Sequence, residues 1–140
     1  MTEHAGREAS IFARILAGEV PGEILLSTDD VFVLRDIAPQ APVHLLVIPK
    51  TQRFHDVVEL AAEDPRLLAH MVEVARLAAN AQGLTDFRLI FNTGLGAGQT
   101  VFHVHAHVLG APQGRAGDSS AGLGEGTMTA GMPDPTERNP

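Results

Sequence analysis

The chain has no cysteine among its 140 residues, which excludes a disulfide framework and any thiolate zinc site. Lysine and arginine are scarce, 10 against 17 acidic residues, and they are scattered along the chain, for a net charge of -7. That balance excludes a general grip on nucleic acid through phosphate neutralisation, although neutral donors could still hold a small phosphate ligand. No apolar run approaches the ~20 residues that span a bilayer, so no membrane role is expected. The opening Met1-Thr2-Glu3-His4-Ala5-Gly6-Arg7 lacks the apolar segment of a secretory signal, so the expected address is the cytoplasm. There is no internal repeat. What remains is the length of one domain, enough to bury roughly two thirds of its unfolded surface without a metal or a disulfide.

Residues 1–9 are polar and read as a flexible start, 10–112 as the domain, and 113–140 as a Gly/Pro-rich tail that is flexible or lies along the surface. Ser10 is a fitting N-cap ahead of Ile11, Phe12, Ile15 and Leu16 at helical spacing, and Gly18 fits the stop. Ile24 to Ser27 and Val31 to Asp36 read as a hairpin around Thr28-Asp29-Asp30. His44-Leu45-Leu46-Val47-Ile48 is apolar enough for a strand covered on both faces, closed by Pro49. The stretch around His55 and Val57-Val58 reads as irregular. Asp64-Pro65 then starts a helix to about Gln82, with Leu67, Leu68, Met71, Ala75 and Ala78 inward, His70 on the solvated face and Gly83 beyond the end. Phe87 to Asn92 and Val101 to Leu109 read as strands separated by a glycine-rich turn. The order is α+β with an antiparallel sheet, not the alternation of a doubly wound fold.

The chemistry concentrates in Val101-Phe102-His103-Val104-His105-Ala106-His107-Val108-Leu109. On a strand, His103, His105, His107 and Leu109 share one face, and Phe102, Val104, Ala106 and Val108 share the other as core. One zinc ion cannot take all three imidazoles, because the outer α-carbons lie ~13 Å apart on a strand and zinc wants a tetrahedron. Two of them with His44 remain a possible ligand set; the preferred reading has no metal. A neutral imidazole is a competent nucleophile, a second can serve the leaving group, and a third can fix tautomers. The Gly98-Gln99-Thr100 turn could bring donors to an anion, though it matches no P-loop pattern.

These residues resemble the histidine triad (HIT) superfamily, whose motif alternates histidine with apolar residues as His103-Val104-His105-Ala106-His107-Val108-Leu109 does. The likeness extends through Ser10-Ile11-Phe12, Ile15, Gly18-Glu19-Val20-Pro21, Asp36-Ile37-Ala38-Pro39-Gln40-Ala41-Pro42, His44 and Val47-Ile48-Pro49-Lys50, which look like the Hint branch. The resemblance implies a five-stranded antiparallel sheet with two main helices, paired into a homodimer through the Asp64 to Gln82 helix and the strand from Phe87. It implies cleavage of a P–N bond at the α-phosphate of a purine nucleoside phosphoramidate (AMP or GMP type), with no cofactor. By position, His105 becomes nucleotidylated, His107 contacts the phosphate and the departing group, and His103 and His44 complete the relay. Asp36 would hold the ribose, Ile11, Phe12, Ile15, Leu34 and Ile37 the base, and Asn92, Gly98, Gln99 and Thr100 the phosphate.

Thr100 stands where the Hint branch often has serine, and Gln99-Thr100-Val101 before the triad also resembles the fragile-histidine-triad branch, which hydrolyses dinucleoside polyphosphates. The leaving group therefore stays open between these, beside a third reading as a nucleotide-binding interaction protein with little catalysis.

Overall fold

The computed structural model describes residues 8–112. The expectations for the start before residue 8 and for the tail from 113 lie outside the described residues. The elements run α1 (Ile11–Leu16), β1 (Ile24–Ser27), β2 (Val31–Arg35), β3 (Val43–Pro49), α2 (Val57–Glu63), α3 (Pro65–Ala81), β4 (Arg88–Ile90), a 3-10 turn (Leu95–Ala97) and β5 (Ala106–Gly110). The sheet has five strands in the order β1-β2-β3-β5-β4, and every pair is antiparallel. The α+β class and the antiparallel sheet are as the sequence predicts.

Register explains how one sheet carries both a core and a site. Residues directly opposite in an antiparallel pair project to the same side, and successive residues to opposite sides. Val33 lies opposite Val47, and Leu45 opposite Val108. These side chains pack on Met71, Val74, Ala75, Ala78 and Ala79 of α3 as the main core. The other face carries Phe32 opposite Ile48, Leu34 opposite Leu46, Leu46 opposite His107, and His44 opposite Leu109. Phe12 of α1 covers Phe32, Leu34 and Ile48 there as a second, smaller cluster. The histidines thus share a face with α1, while α3 buttresses the reverse.

α3 starts where expected, with the Asp64 side chain accepting from the Leu67 N–H at 3.1 Å and proline in the first turn. Gln82 caps its other end, and Gly83 follows in the left-handed region at φ 84°. Between β3 and α3 the chain is irregular only as far as Asp56: Val57–Glu63 is a helix, α2, which corrects the sequence reading at Val57-Val58. Asp56 accepts from the Glu59 N–H at 2.9 Å while Glu59 accepts from the His55 N–H at 2.8 Å, a reciprocal cap that starts α2.

The triad strand is also shorter than predicted. β5 begins at Ala106, opposite Val47, and the next partners along β3 would be Ile48 and Pro49. Proline has no N–H to donate to a ladder, so pairing stops there. Residues 101–105 turn away instead, with Val104 N–H bonded to the Phe54 carbonyl at 3.0 Å. Phe102 is consequently not a core residue as the alternation predicted: it is 42% exposed and its ring meets that of His55 edge-on. β4 is likewise only three residues long, at the sheet edge.

Candidate active site

Each of the four histidines near α1 has a partner whose role admits no choice, and the protons follow. A carbonyl can only accept and a backbone N–H can only donate. His105 Nδ1 lies 2.9 Å from the His103 carbonyl, so Nδ1 carries the proton and Nε2 keeps a bare lone pair. His44 Nδ1 accepts from the Gln40 N–H at 3.0 Å, so its proton sits on Nε2. That Nε2–H faces His107 Nδ1 at 2.9 Å, which puts the His107 proton on its own Nε2. His103 donates Nε2–H to the Pro49 carbonyl at 2.7 Å and accepts the Ser10 hydroxyl on Nδ1 at 2.5 Å. The rings of His105 and His107 stand edge to face, 5.3 Å between centroids. One presents a lone pair and its neighbour an N–H.

Electrostatics keep the rings of His44, His105 and His107 neutral. Desolvation lowers the His105 pKa below 6.5, opposed by its bond to the His103 carbonyl and by the Asp36 carboxylate. Burial also lowers that of His44, again against Asp36. His107 is held down to about 3, by desolvation first and then by His105 and His44. At neutral pH, His105 presents an uncharged lone pair and His107 an uncharged N–H.

Around them, Phe12 sets its ring edge against both His105, at 4.9 Å, and His103, at 5.7 Å. Leu34 is buried in the same cluster and Ile15 half-buried against it. Asp36 directs Oδ2 to 3.4 Å from His44 Nε2 and accepts the Ala38 N–H on Oδ1 at 2.8 Å. Ile11 is partly exposed, and Ile37 projects into solvent at 94% exposure. Ile37 lies past the end of β2, which ends at Arg35. Asn92 is half-buried; Gly98 and Thr100 are exposed.

Gln99 does something other than face a phosphate. It is buried, with Oε1 accepting the Gly94 N–H at 2.9 Å and Nε2 donating to the carbonyls of His55 at 2.6 Å and Val101 at 3.1 Å. It clamps the glycine-rich turn from inside. The N–H groups of Gly98 and Gln99 are likewise spent within the turn, on Leu95 and Gly94. His103 is fully buried, and both its ring nitrogens are bonded inside the protein, to Ser10 and to Pro49.

Ligand atoms of Asp36, His44 and His107 lie within 4.8 Å of one another, close enough for a metal. The hydrogen bonding opposes it. While Gln40 N–H occupies His44 Nδ1, the proton of a neutral ring stays on Nε2, the atom that would have to bind the ion. His70, expected on a solvated face, is half-buried and bonds through Nε2 to Thr28 Oγ1 at 2.9 Å. It lines a separate polar cleft of about 400 Å³ with Asp29, Asp30, Lys50 and Arg66.

Sequence reasoning missed the holders. Ser10 is legible as a cap but not as a partner of His103. The carbonyls of Pro49 and His103 and the N–H of Gln40 carry no side-chain signature at all. Buried Gln52 accepts the Ser10 N–H at 2.9 Å and donates to the Glu8 carbonyl at 2.9 Å.

A neutral imidazole with a bare Nε2 beside a neutral imidazole with an Nε2–H, on an antiparallel sheet braced by one long helix, is the arrangement of a histidine-triad site. Residues 9–121 match the family described as scavenger mRNA decapping enzyme C-term binding. The chain is 44% identical over 104 residues to an uncharacterised HIT-like protein of Synechococcus elongatus, covering 74% of this chain and 90% of that one. It is 40% identical over 105 residues to the purine nucleoside phosphoramidase of Escherichia coli K12, covering 74% and 87%. Among solved structures, a HIT family hydrolase from Clostridium thermocellum superposes with a TM-score of 0.71 at 37% identity, over 76% of this chain and 94% of that one. The chain belongs to the histidine triad (HIT) family.

Proposed function

We propose that this protein is a nucleotide hydrolase or transferase that cleaves the P–N, or a related, bond at the α-phosphate of purine nucleoside phosphoramidates through a nucleotidyl-His105 intermediate. The observation that carries the reading is the opposed pair of tautomers, a bare Nε2 on His105 beside an Nε2–H on His107. The 40% identity to a purine nucleoside phosphoramidase supports the substrate class.

In this reading His105 Nε2 attacks phosphorus, the P–N bond breaks, and its electron pair leaves with the amine, which takes up one proton from solvent. Water then attacks phosphorus, the P–Nε2 bond breaks back to His105, and a proton returns to solvent with the nucleoside monophosphate. His107 Nε2–H holds the phosphate through both steps as a fixed donor, which stabilises charge without reorganising. Asp36 takes the ribose hydroxyls, and Phe12, Ile15 and Leu34 wall the base. No cofactor is required.

The proposal extends to a homodimer. β4 ends the sheet as an edge, and Val72 and Leu77 on α3 are 44% and 45% exposed, so a second copy would cover both. Among the described residues no helix is long and apolar enough to cross a membrane.

Rapid-quench intact-mass analysis with adenosine phosphoramidate tests the chemistry, run beside a diadenosine polyphosphate. The expected result is an added nucleotidyl mass lost in His105→Ala, with faster turnover of the phosphoramidate. Tight monophosphate binding with no adduct and no turnover would overturn it.

A further inference from the structure

Ser10 does more than cap α1. Its Oγ accepts the Ala13 N–H at 3.0 Å, as an N-cap should, and the hydroxyl proton that remains goes to His103 Nδ1 at 2.5 Å. The direction is forced, since His103 Nε2–H is committed to Pro49 and its Nδ1 has only a lone pair to offer. The Ser10 backbone is pinned as well, because its N–H donates to buried Gln52. One residue further, Phe12 lays its ring edge on both His103 and His105. The carbonyl of that same His103 takes the Nδ1 proton of His105.

We infer that Ser10 is a positioning residue for the nucleophile: its hydroxyl fixes the ring of His103, and with it the place of the His103 carbonyl that aims His105. α1, whose Phe12 walls the nucleoside side, and the segment that carries the nucleophile are thereby joined by a hydrogen bond. The consequence for catalysis rests on the proposed function; the consequence for the His103 ring does not. Misplacement of a reacting group by a fraction of its bond length is costly to a displacement at phosphorus and leaves ground-state affinity nearly untouched.

Ser10→Gly and Ser10→Thr separate this role from capping. Glycine is tolerated at a helix N-cap nearly as well as serine but has no hydroxyl, whereas threonine keeps both the acceptor and the donor. Adenosine phosphoramidate turnover is measured for wild type and both variants, together with ¹⁵N spectra of the histidine rings, which report the tautomer at each nitrogen. In Ser10→Gly, kcat is expected to fall on the order of tenfold or more with KM within about twofold. The spectra should show the His103 Nδ1 resonance moved to that of an acceptor nitrogen without a donor, while the Pro49 and His103 carbonyls keep the His103 and His105 protons where they are. Ser10→Thr should restore both readouts. Wild-type kcat in Ser10→Gly, or an unchanged His103 Nδ1 resonance in a folded variant, would overturn the inference. Should wild type itself not turn over the phosphoramidate, the functional reading fails instead, and the spectra alone decide the role of Ser10.

Discussion

His44 gives its Nε2 proton to His107 Nδ1 across 2.9 Å, and this bond decides which edge of His107 carries hydrogen. Replacing His44 by Phe leaves that Nδ1 with no donor and frees His107 to take the other tautomer, with its lone pair toward the phosphate. The expected loss is on the order of ten- to a hundredfold in kcat/KM, with about 1–3 kcal/mol of stability lost through the unpaired buried group. Steady-state kinetics and urea denaturation of His44→Phe check it.

The pH profile should be flat through neutrality. Because the His105 pKa is lowered from 6.5, the nucleophile stays unprotonated below the pH at which a free imidazole would be half charged. Activity is therefore retained as pH falls through 6.5 and lost only below it, once His105 protonates. A kcat/KM profile from pH 8 to pH 4 would show the acid limb displaced to lower pH than an ordinary histidine gives.

Stability should follow the same sign. His107 protonates at about 3 when folded and near 6.5 when unfolded, so between those values the unfolded chain binds more protons. Its contribution is complete above 6.5 and declines as pH falls toward 3. Thermal unfolding of wild type and His107→Asn across that range is the measurement, and the variant should show the shallower dependence.

Gln99 should matter to the turn more than to the phosphate. Gln99→Ala removes partners from the Gly94 N–H and from the carbonyls of His55 and Val101 together, which is expected to cost about 1–3 kcal/mol. Hydrogen exchange at the Gly94 amide should quicken in the variant; Gln99→Glu keeps the acceptor for that amide but loses both donors to the His55 and Val101 carbonyls, so it should not recover the stability.

Metal should be irrelevant to turnover. With Gln40 N–H holding the His44 proton on Nε2, activity is expected to be indifferent to chelator, and equimolar zinc should not be retained on dialysis. Elemental analysis and an assay in chelator check both.

The fold was legible wherever a local rule had no rival. Asp64-Pro65 and Gly83 bracket α3 within a residue, and the apolar run from His44 marks β3. α2 is hard to read although Asp56 and Glu59 stand at cap spacing, because a helix of 7 residues is too short to repeat an apolar period. The triad was readable as chemistry but not as geometry. Alternation places His103 beside His105 on an open face, yet Pro49 stops the ladder at Ala106 and the ring of His103 turns inward to that proline's carbonyl. A backbone atom that competes for a side chain has no letter of its own in the sequence.

That the His103 and Pro49 carbonyls and the Gln40 N–H place the protons has a consequence for how such a protein changes over generations. Every amino acid brings a carbonyl, and every one but proline brings an N–H, so ordinary substitution at these positions leaves the donors and acceptors in place. Variation can reshape the side chains around the histidines while the protonation pattern of the rings is inherited unaltered.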